Sequence, residues 1–200
     1  MSSQIKGCRS AIIEFLDNDL PIPDTGLAFI YCDYKEYQSQ TTKHFVGAVV
    51  RQLSTQRPAI PEEVCNLYEK HRTKGTSPSL TEYLMLLQSL AQGCSEVYLV
   101  IDALDECIDK DGTPIWSSLV TELKRSVPNL RLLCTSRPIS DTRGSLRDST
   151  NIEIRVSDAD IRAYIQRQVE SSDRLFGFCE QDGALRDEIV MAVESNTAGM

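Results

Sequence analysis

Apolar residues recur along the chain in two alternating periods. Ile5, Cys8, Ala11, Ile12, Phe15 and Leu16 fall three or four positions apart, which is the stripe of an amphipathic helix over Ile5–Leu16. The turn Pro21-Ile-Pro-Asp-Thr-Gly26 ends it. Leu27-Ala-Phe-Ile-Tyr-Cys32 is a continuous apolar run, as expected of a strand buried on both faces of a sheet. Helical spacing returns over Thr42–Leu53 through Phe45, Val49 and Leu53, and after Pro58 and Pro61 two more helices are predicted, Glu62–Arg72 and Leu80–Ala91, with Gly93 closing the second. Val97-Tyr-Leu-Val-Ile101 is the strongest predicted strand, five apolar and mostly β-favouring residues running into Asp102.

The second half continues the alternation. A helix is predicted over Trp116–Arg125, a strand over Leu130–Thr135 stopped by Arg137-Pro138, and a further strand over Asn151–Val156. Ser157-Asp-Ala-Asp160 opens a helix as a near-capping box with Asp in the usual Glu position, and Ala184–Ser195 is helical by its Leu185, Ile189 and Val193. Strands and helices in this order imply βαβ units, hence an α/β fold with a mostly parallel, three-layer sheet. The expected division is a core over 1–156 followed by a helical segment over 157–200.

Composition narrows the function classes. Hydrophobic residues at 41% and charged residues at 25% are the balance of a globular protein able to bury a core. The net charge of -8, with basic residues scattered along the chain, argues against a nucleic-acid surface. No apolar run is long enough to suggest a membrane span, and Met1-Ser-Ser-Gln-Ile-Lys6 is not the start of a secretion signal, so the expected location is cytoplasmic. Seven dispersed cysteines without a C-x-x-C pair are expected to be reduced thiols, and with His44 and His71 remote from most of them a zinc site is not expected.

Candidate chemistry is concentrated in Val97-Tyr-Leu-Val-Ile-Asp-Ala-Leu-Asp-Glu106, where an apolar strand delivers three carboxylates within five positions. Ligands of open parallel sheets bind at the carboxyl ends of the strands, so these acids stand where a site would be. Asp102 would hold Mg²⁺, and Asp105 and Glu106 could orient or deprotonate an attacking water. The plainer alternative is a polar loop whose acids cap the next helix.

The run Leu99-Val-Ile-Asp-Ala-Leu-Asp-Glu-Cys107 resembles the extended Walker B motif of NACHT-type signal-transduction ATPases of the STAND class, especially fungal proteins with nephrocystin-like N-terminal domains. Ala28-Phe-Ile-Tyr-Cys-Asp-Tyr-Lys35 resembles that family's second strand, His44-Phe-Val-Gly-Ala-Val-Val-Arg-Gln-Leu53 the helix after it, and Leu130-Arg-Leu-Leu-Cys-Thr-Ser-Arg-Pro138 its sensor strand. The resemblance implies a P-loop NTPase fold, ATP and Mg²⁺ as cofactors, slow hydrolysis, self-association or other protein partners, and Arg137 approaching the γ-phosphate. It further implies a parent protein with an effector region and repeats.

One motif of that family does not occur. G-x-x-x-x-G-K-[ST] is absent from the sequence, and near Ile5 the pair Lys6-Gly7 runs in the wrong order. The expectation is therefore a domain lacking its first strand and phosphate loop, with weak or no ATP binding by the chain alone. A binding or assembly module that keeps the fold without the chemistry is the alternative. A different Mg²⁺-dependent phosphoryl-transfer enzyme is a more distant one.

Overall fold

Three of the predicted strands assemble into one parallel sheet. In the computed structural model, which describes residues 13–16, 18, 24–138, 146–154 and 157–197, they are β1 (Thr25–Tyr31), β2 (Glu96–Asp102) and β3 (Leu130–Cys134). Their order is β1-β2-β3, with Ile30 opposite Ile101 and Ile101 opposite Cys134. Each added strand lies on the same side of its predecessor, so right-handed crossovers carry their helices over one and the same face.

That face is where the core sits. Between β1 and β2 run α1 (Thr42–Thr55), α2 (Glu62–Lys74) and α3 (Leu80–Gln92), and α4 (Trp116–Ser126) joins β2 to β3. Ala28, Ile30 and Cys32, then Val97, Leu99 and Ile101, point with Leu132 and Cys134 into a single apolar cluster. Val46 and Val49 of α1, Leu87 and Leu90 of α3, and Leu119 and Leu123 of α4 close it, each nearly inaccessible. Burying a Val or Leu side chain contributes about 1.5–3 kcal/mol, so this cluster supplies the main driving force for the domain. The period of two sends Tyr98, Val100 and Asp102 to the opposite face, where β1 presents Phe29 and Tyr31 and β3 presents Leu133.

The outer edge of β1 is closed by glutamines. Gln52 of α1 accepts from the Phe29 N–H at 3.0 Å and donates to the Phe29 carbonyl at 2.9 Å. Gln56, one turn on, pairs with both backbone groups of Leu27, and Gln40 does the same for Asp33. A primary amide carries one donor group and one acceptor, as a residue on a neighbouring strand would, so these side chains satisfy an edge that otherwise invites pairing with another chain.

Local signals set several boundaries. Ser79 and Glu82 form a complete capping box at the start of α3, and Gly75 ends α2 with φ +63, a conformation that favours glycine. Gly93 ends α3 with an ordinary φ; a Cβ there would meet the end of the Arg57 side chain at 2.6 Å and push it from its 2.7 Å bond to the Leu90 carbonyl.

The chain divides into two compact units, Met1–Asp148 and Ser149–Met200. The second contains α5 (Asp158–Glu170), α6 (Asp173–Gln181) and α7 (Gly183–Thr197), packed around Ile161, Ile165 and Val169. Its first helix opens with the expected Ser157–Asp160 capping box, while α6 has no counterpart among the predicted elements.

The predicted strand Asn151–Val156 is corrected. Residues 151–154 have no regular structure, and Ile152 and Ile154 are 77% and 86% exposed. Alternating Ile and charge makes a strand only beside an open edge, and among the described residues none runs alongside; residues 155–156 lie outside them. Of the predicted helix Ile5–Leu16, positions 13–16 are helical and the remainder lies outside the described residues, as does Lys6-Gly7. Among the described residues, no helix is long and apolar enough to cross a membrane.

Candidate functional site

The middle strand ends in a carboxylate that is almost completely buried. Asp102 is 1% exposed, and the strand pairing sets it beside Thr135, the residue that follows β3. The Thr135 hydroxyl donates to Asp102 Oδ1 at 2.6 Å and accepts from the Ala103 N–H at 3.1 Å. Its backbone bonds to the same segment, from the Thr135 N–H to the Ile101 carbonyl at 2.9 Å and from the Leu104 N–H to the Thr135 carbonyl at 2.8 Å.

The chain then turns sharply. Ala103 has φ +54, and among the described residues no other non-glycine has a positive φ. A left-handed L-residue costs about 1–2 kcal/mol, and the small side chain keeps that cost low compared with a β-branched one. The short 3₁₀ turn Leu104–Glu106 follows, with the Glu106 N–H donating to the Ala103 carbonyl at 2.8 Å. Leu104 and Cys107 are buried at its two ends and anchor it, so Asp105 and Glu106 are held at the surface between them.

Arg137 reaches these acids from the end of β3. Its Nε donates to Asp105 Oδ2 at 2.6 Å, its backbone N–H donates to Asp105 Oδ1 at 3.1 Å, and a terminal nitrogen lies 3.4 Å from Glu106 Oε1. Ser136 adds a weaker hydroxyl bond to Asp105 at 3.3 Å. Burial by itself would raise the Asp105 pKa, but the side-chain bond, the backbone bond and the charge of Arg137 together outweigh it and hold the carboxyl below its ordinary value. The Arg137 guanidinium is raised in turn, chiefly by its bond to Asp105.

Three thiols lie on the core side of the same strand ends. A hydrogen bond with Cys107 and burial push the Cys32 thiol far above its ordinary range, and burial pushes Cys134 up to about 12. Cys32 and Cys134 therefore stay protonated near neutral pH and are poor nucleophiles. The six described cysteines are free thiols.

The four sequence-predicted site residues therefore separate into two positions. Asp105, Glu106 and Arg137 form one surface cluster with side chains 16%, 27% and 74% exposed, whereas Asp102 is enclosed beside Thr135. Arg137, expected to point at a phosphate, is occupied with two carboxylates. Thr135 was assigned no role from the sequence, although its place directly after an apolar strand and opposite Asp102 is legible once the register is known.

The donor set suits a hard cation in one respect: carboxylate and hydroxyl oxygens are what Mg²⁺ prefers. Among the described residues no three His, Cys, Asp or Glu side chains converge into a metal cage. Mg²⁺ is ordinarily held by one or two carboxylates together with substrate phosphates and water, so the residues fit a metal that arrives with an oxyanion ligand.

A family model described as Nephrocystin 3, N-terminal, matches residues 8–137, a span that includes the sheet, α1 to α4 and all four acidic and basic residues named above. No curated protein and no solved structure matches the chain.

Proposed function

Because the chain belongs to the nephrocystin 3 N-terminal family, we propose that it is the core of a NACHT-type nucleotide-dependent switch, with a P-loop NTPase-like sheet and a site for the metal and γ-phosphate end of ATP. The observation that carries the proposal is the delivery of Asp102, Asp105 and Glu106 at the carboxyl end of the middle strand of a parallel sheet, with Arg137 arriving from the adjacent strand. Strand ends of this kind are where open α/β sheets bind ligands.

In this reading Asp102 would hold Mg²⁺, which would supply charge neutralisation to the phosphates of the bound nucleotide. Glu106 orients or deprotonates the attacking water, with Asp105 as the rival for that role. Arg137 exchanges its two carboxylate partners, each held through a single guanidinium nitrogen, for phosphate oxygens, which the guanidinium fork suits. Opening that pair couples ligand arrival to the turn Leu104–Glu106, and with it to association with further copies or other proteins in the cytoplasm.

The absence of G-x-x-x-x-G-K-[ST] from the sequence favours a second reading, a binding or assembly module that has kept the fold. Amide chemical-shift mapping of the labelled chain with ATP and Mg²⁺ raised to the millimolar range separates the two. The switch reading expects weak but saturable shifts at residues 102–106 and 135–137. Saturation without any change there would leave the module.

A further inference from the structure

We propose that the outer edge of β3 is a self-association surface, on which β3 of a second copy pairs antiparallel and joins two three-stranded sheets into one. The association needs no nucleotide and is independent of the roles given to Asp102, Asp105, Glu106 and Arg137 above.

The two edges of the sheet are finished differently. On β1 the outward backbone groups of Leu27, Phe29 and Asp33 are taken by the amides of Gln56, Gln52 and Gln40. On β3 the Asn129 carbonyl and the Thr135 N–H bond to β2, so the alternation of a parallel ladder turns the backbone of residues 130, 132 and 134 outward. The Leu130 N–H returns to the Val127 carbonyl at 3.2 Å, but among the described residues nothing pairs with the outward N–H and carbonyl of Leu132 or Cys134. An edge in that state is a template for another strand.

The residues of the strand select a second copy as that partner. With a two-fold axis at Leu132, outward residues oppose outward residues: Leu132 meets Leu132 of the second copy, and Leu130 meets Cys134 of the second copy. Opposed residues of this kind exchange both backbone bonds in an antiparallel pair. Their side chains lie on the helix-covered face, where every contact is apolar. On the other face Leu133, 41% exposed, meets Arg131 of the second copy, so no two like charges stand directly opposite. Glu96 Oε1 already accepts from Arg131 Nε at 2.8 Å and Nη2 at 2.6 Å, which neutralises the edge locally on a chain that carries a net charge of -8.

The test uses the full 200-residue chain and two variants at position 133, whose side chain lies outside the apolar cluster. Leu133→Lys and Leu133→Glu remove the same apolar contact, but the lysine faces Arg131 of the second copy with a like charge and the glutamate with an opposite one. Sedimentation velocity without nucleotide gives the dimer affinity, and hydrogen exchange is read at the amides of Leu132 and Cys134, with Phe29 on the other edge for comparison. The expected result is a monomer–dimer equilibrium in which protection of the Leu132 and Cys134 amides rises with concentration and that of Phe29 does not. Leu133→Lys loses roughly tenfold or more in dimer affinity, while Leu133→Glu stays within about threefold of the parent. A chain that remains monomeric at the highest soluble concentration overturns the proposal, as does protection of the Leu132 and Cys134 amides that is the same at every concentration. Equal losses in the two variants overturn it too, because they would mark non-specific apolar association in place of the paired register.

Discussion

Removing the Asp105–Arg137 pair in a double-mutant cycle tests the geometry of the surface cluster. Arg137→Ala deletes the 2.6 Å bond to Asp105 and the 3.4 Å approach to Glu106 but leaves the backbone N–H of residue 137 on Asp105. Asp105→Ala removes both kinds of bond, so the backbone contribution cancels and the coupling energy reports the side-chain pairing alone. Exposed ion pairs are worth about 0.2–1 kcal/mol, and the guanidinium is 74% exposed, which argues for the lower part of that range. Asp105 is mostly covered, which strengthens the same pair. We therefore expect a coupling of about 1 kcal/mol at pH 7 and low salt, measured from urea midpoints of the four proteins.

The pH dependence of that coupling has a defined sign. Asp105 is held below its ordinary value of 3.8, so its contribution is fully present above that value and is lost as the pH falls through the lower folded-state value. High salt should also reduce it, given a Debye length of about 3 Å at 1 M. A coupling indistinguishable from zero at pH 7, or one that survives strong acid unchanged, would refute the assignment of Arg137 to Asp105.

Glu82 offers a second test of the same linkage away from the site. The Lys70 ammonium, the Ser79 backbone and hydroxyl, and His71 all hold its carboxyl well below the usual 4.5, so the stability advantage over Glu82→Gln should be present at neutral pH and shrink as the solution is acidified through the folded-state value; an advantage constant with pH would contradict this. On the β1 edge, Gln52→Ala leaves the Phe29 N–H and carbonyl without the amide they pair with, with an expected cost of about 1–3 kcal/mol in chemical denaturation and greater self-association by light scattering. A neutral, monomeric variant would show that the edge is protected in some other way.

Much of this fold was legible because its signals are local. The apolar run before Asp102, the three-to-four spacing of Phe45, Val49 and Leu53, and the Ser157–Asp160 capping box each sit within one element, and β2, α1 and α5 follow them closely. Asn151–Val156 misled because alternation describes one strand and omits the partner it requires. The Gln40, Gln52 and Gln56 amides that close β1 were invisible for the same reason, since such a glutamine has no signature until the strand beside it is known.

The site divides along similar lines. Asp102, Asp105 and Glu106 could be read from spacing, because three acids after a buried strand fall at its carboxyl end in any parallel sheet. The small residue at 103 was visible in the motif, but its reason, φ +54, was not. The partnership of Arg137 with the acids and of Thr135 with Asp102 depends on β2 and β3 being neighbours in a particular register. That is long-range information, carried by residues 31 to 33 positions apart.

The central claim, a metal and phosphate site at the end of β2, is tested most directly by separating two of its acids. Binding of ATP with Mg²⁺ to the parent chain, Asp102→Ala and Glu106→Gln is measured by the same amide titration at residues 102–106 and 135–137. The account predicts that Asp102→Ala weakens the Mg²⁺-dependent binding at least tenfold, as loss of a metal ligand should, while Glu106→Gln stays within about twofold of the parent, since a water-positioning group acts on the reaction and contributes little to ground-state binding. Equal effects of the two substitutions, or undiminished binding in Asp102→Ala, would contradict it.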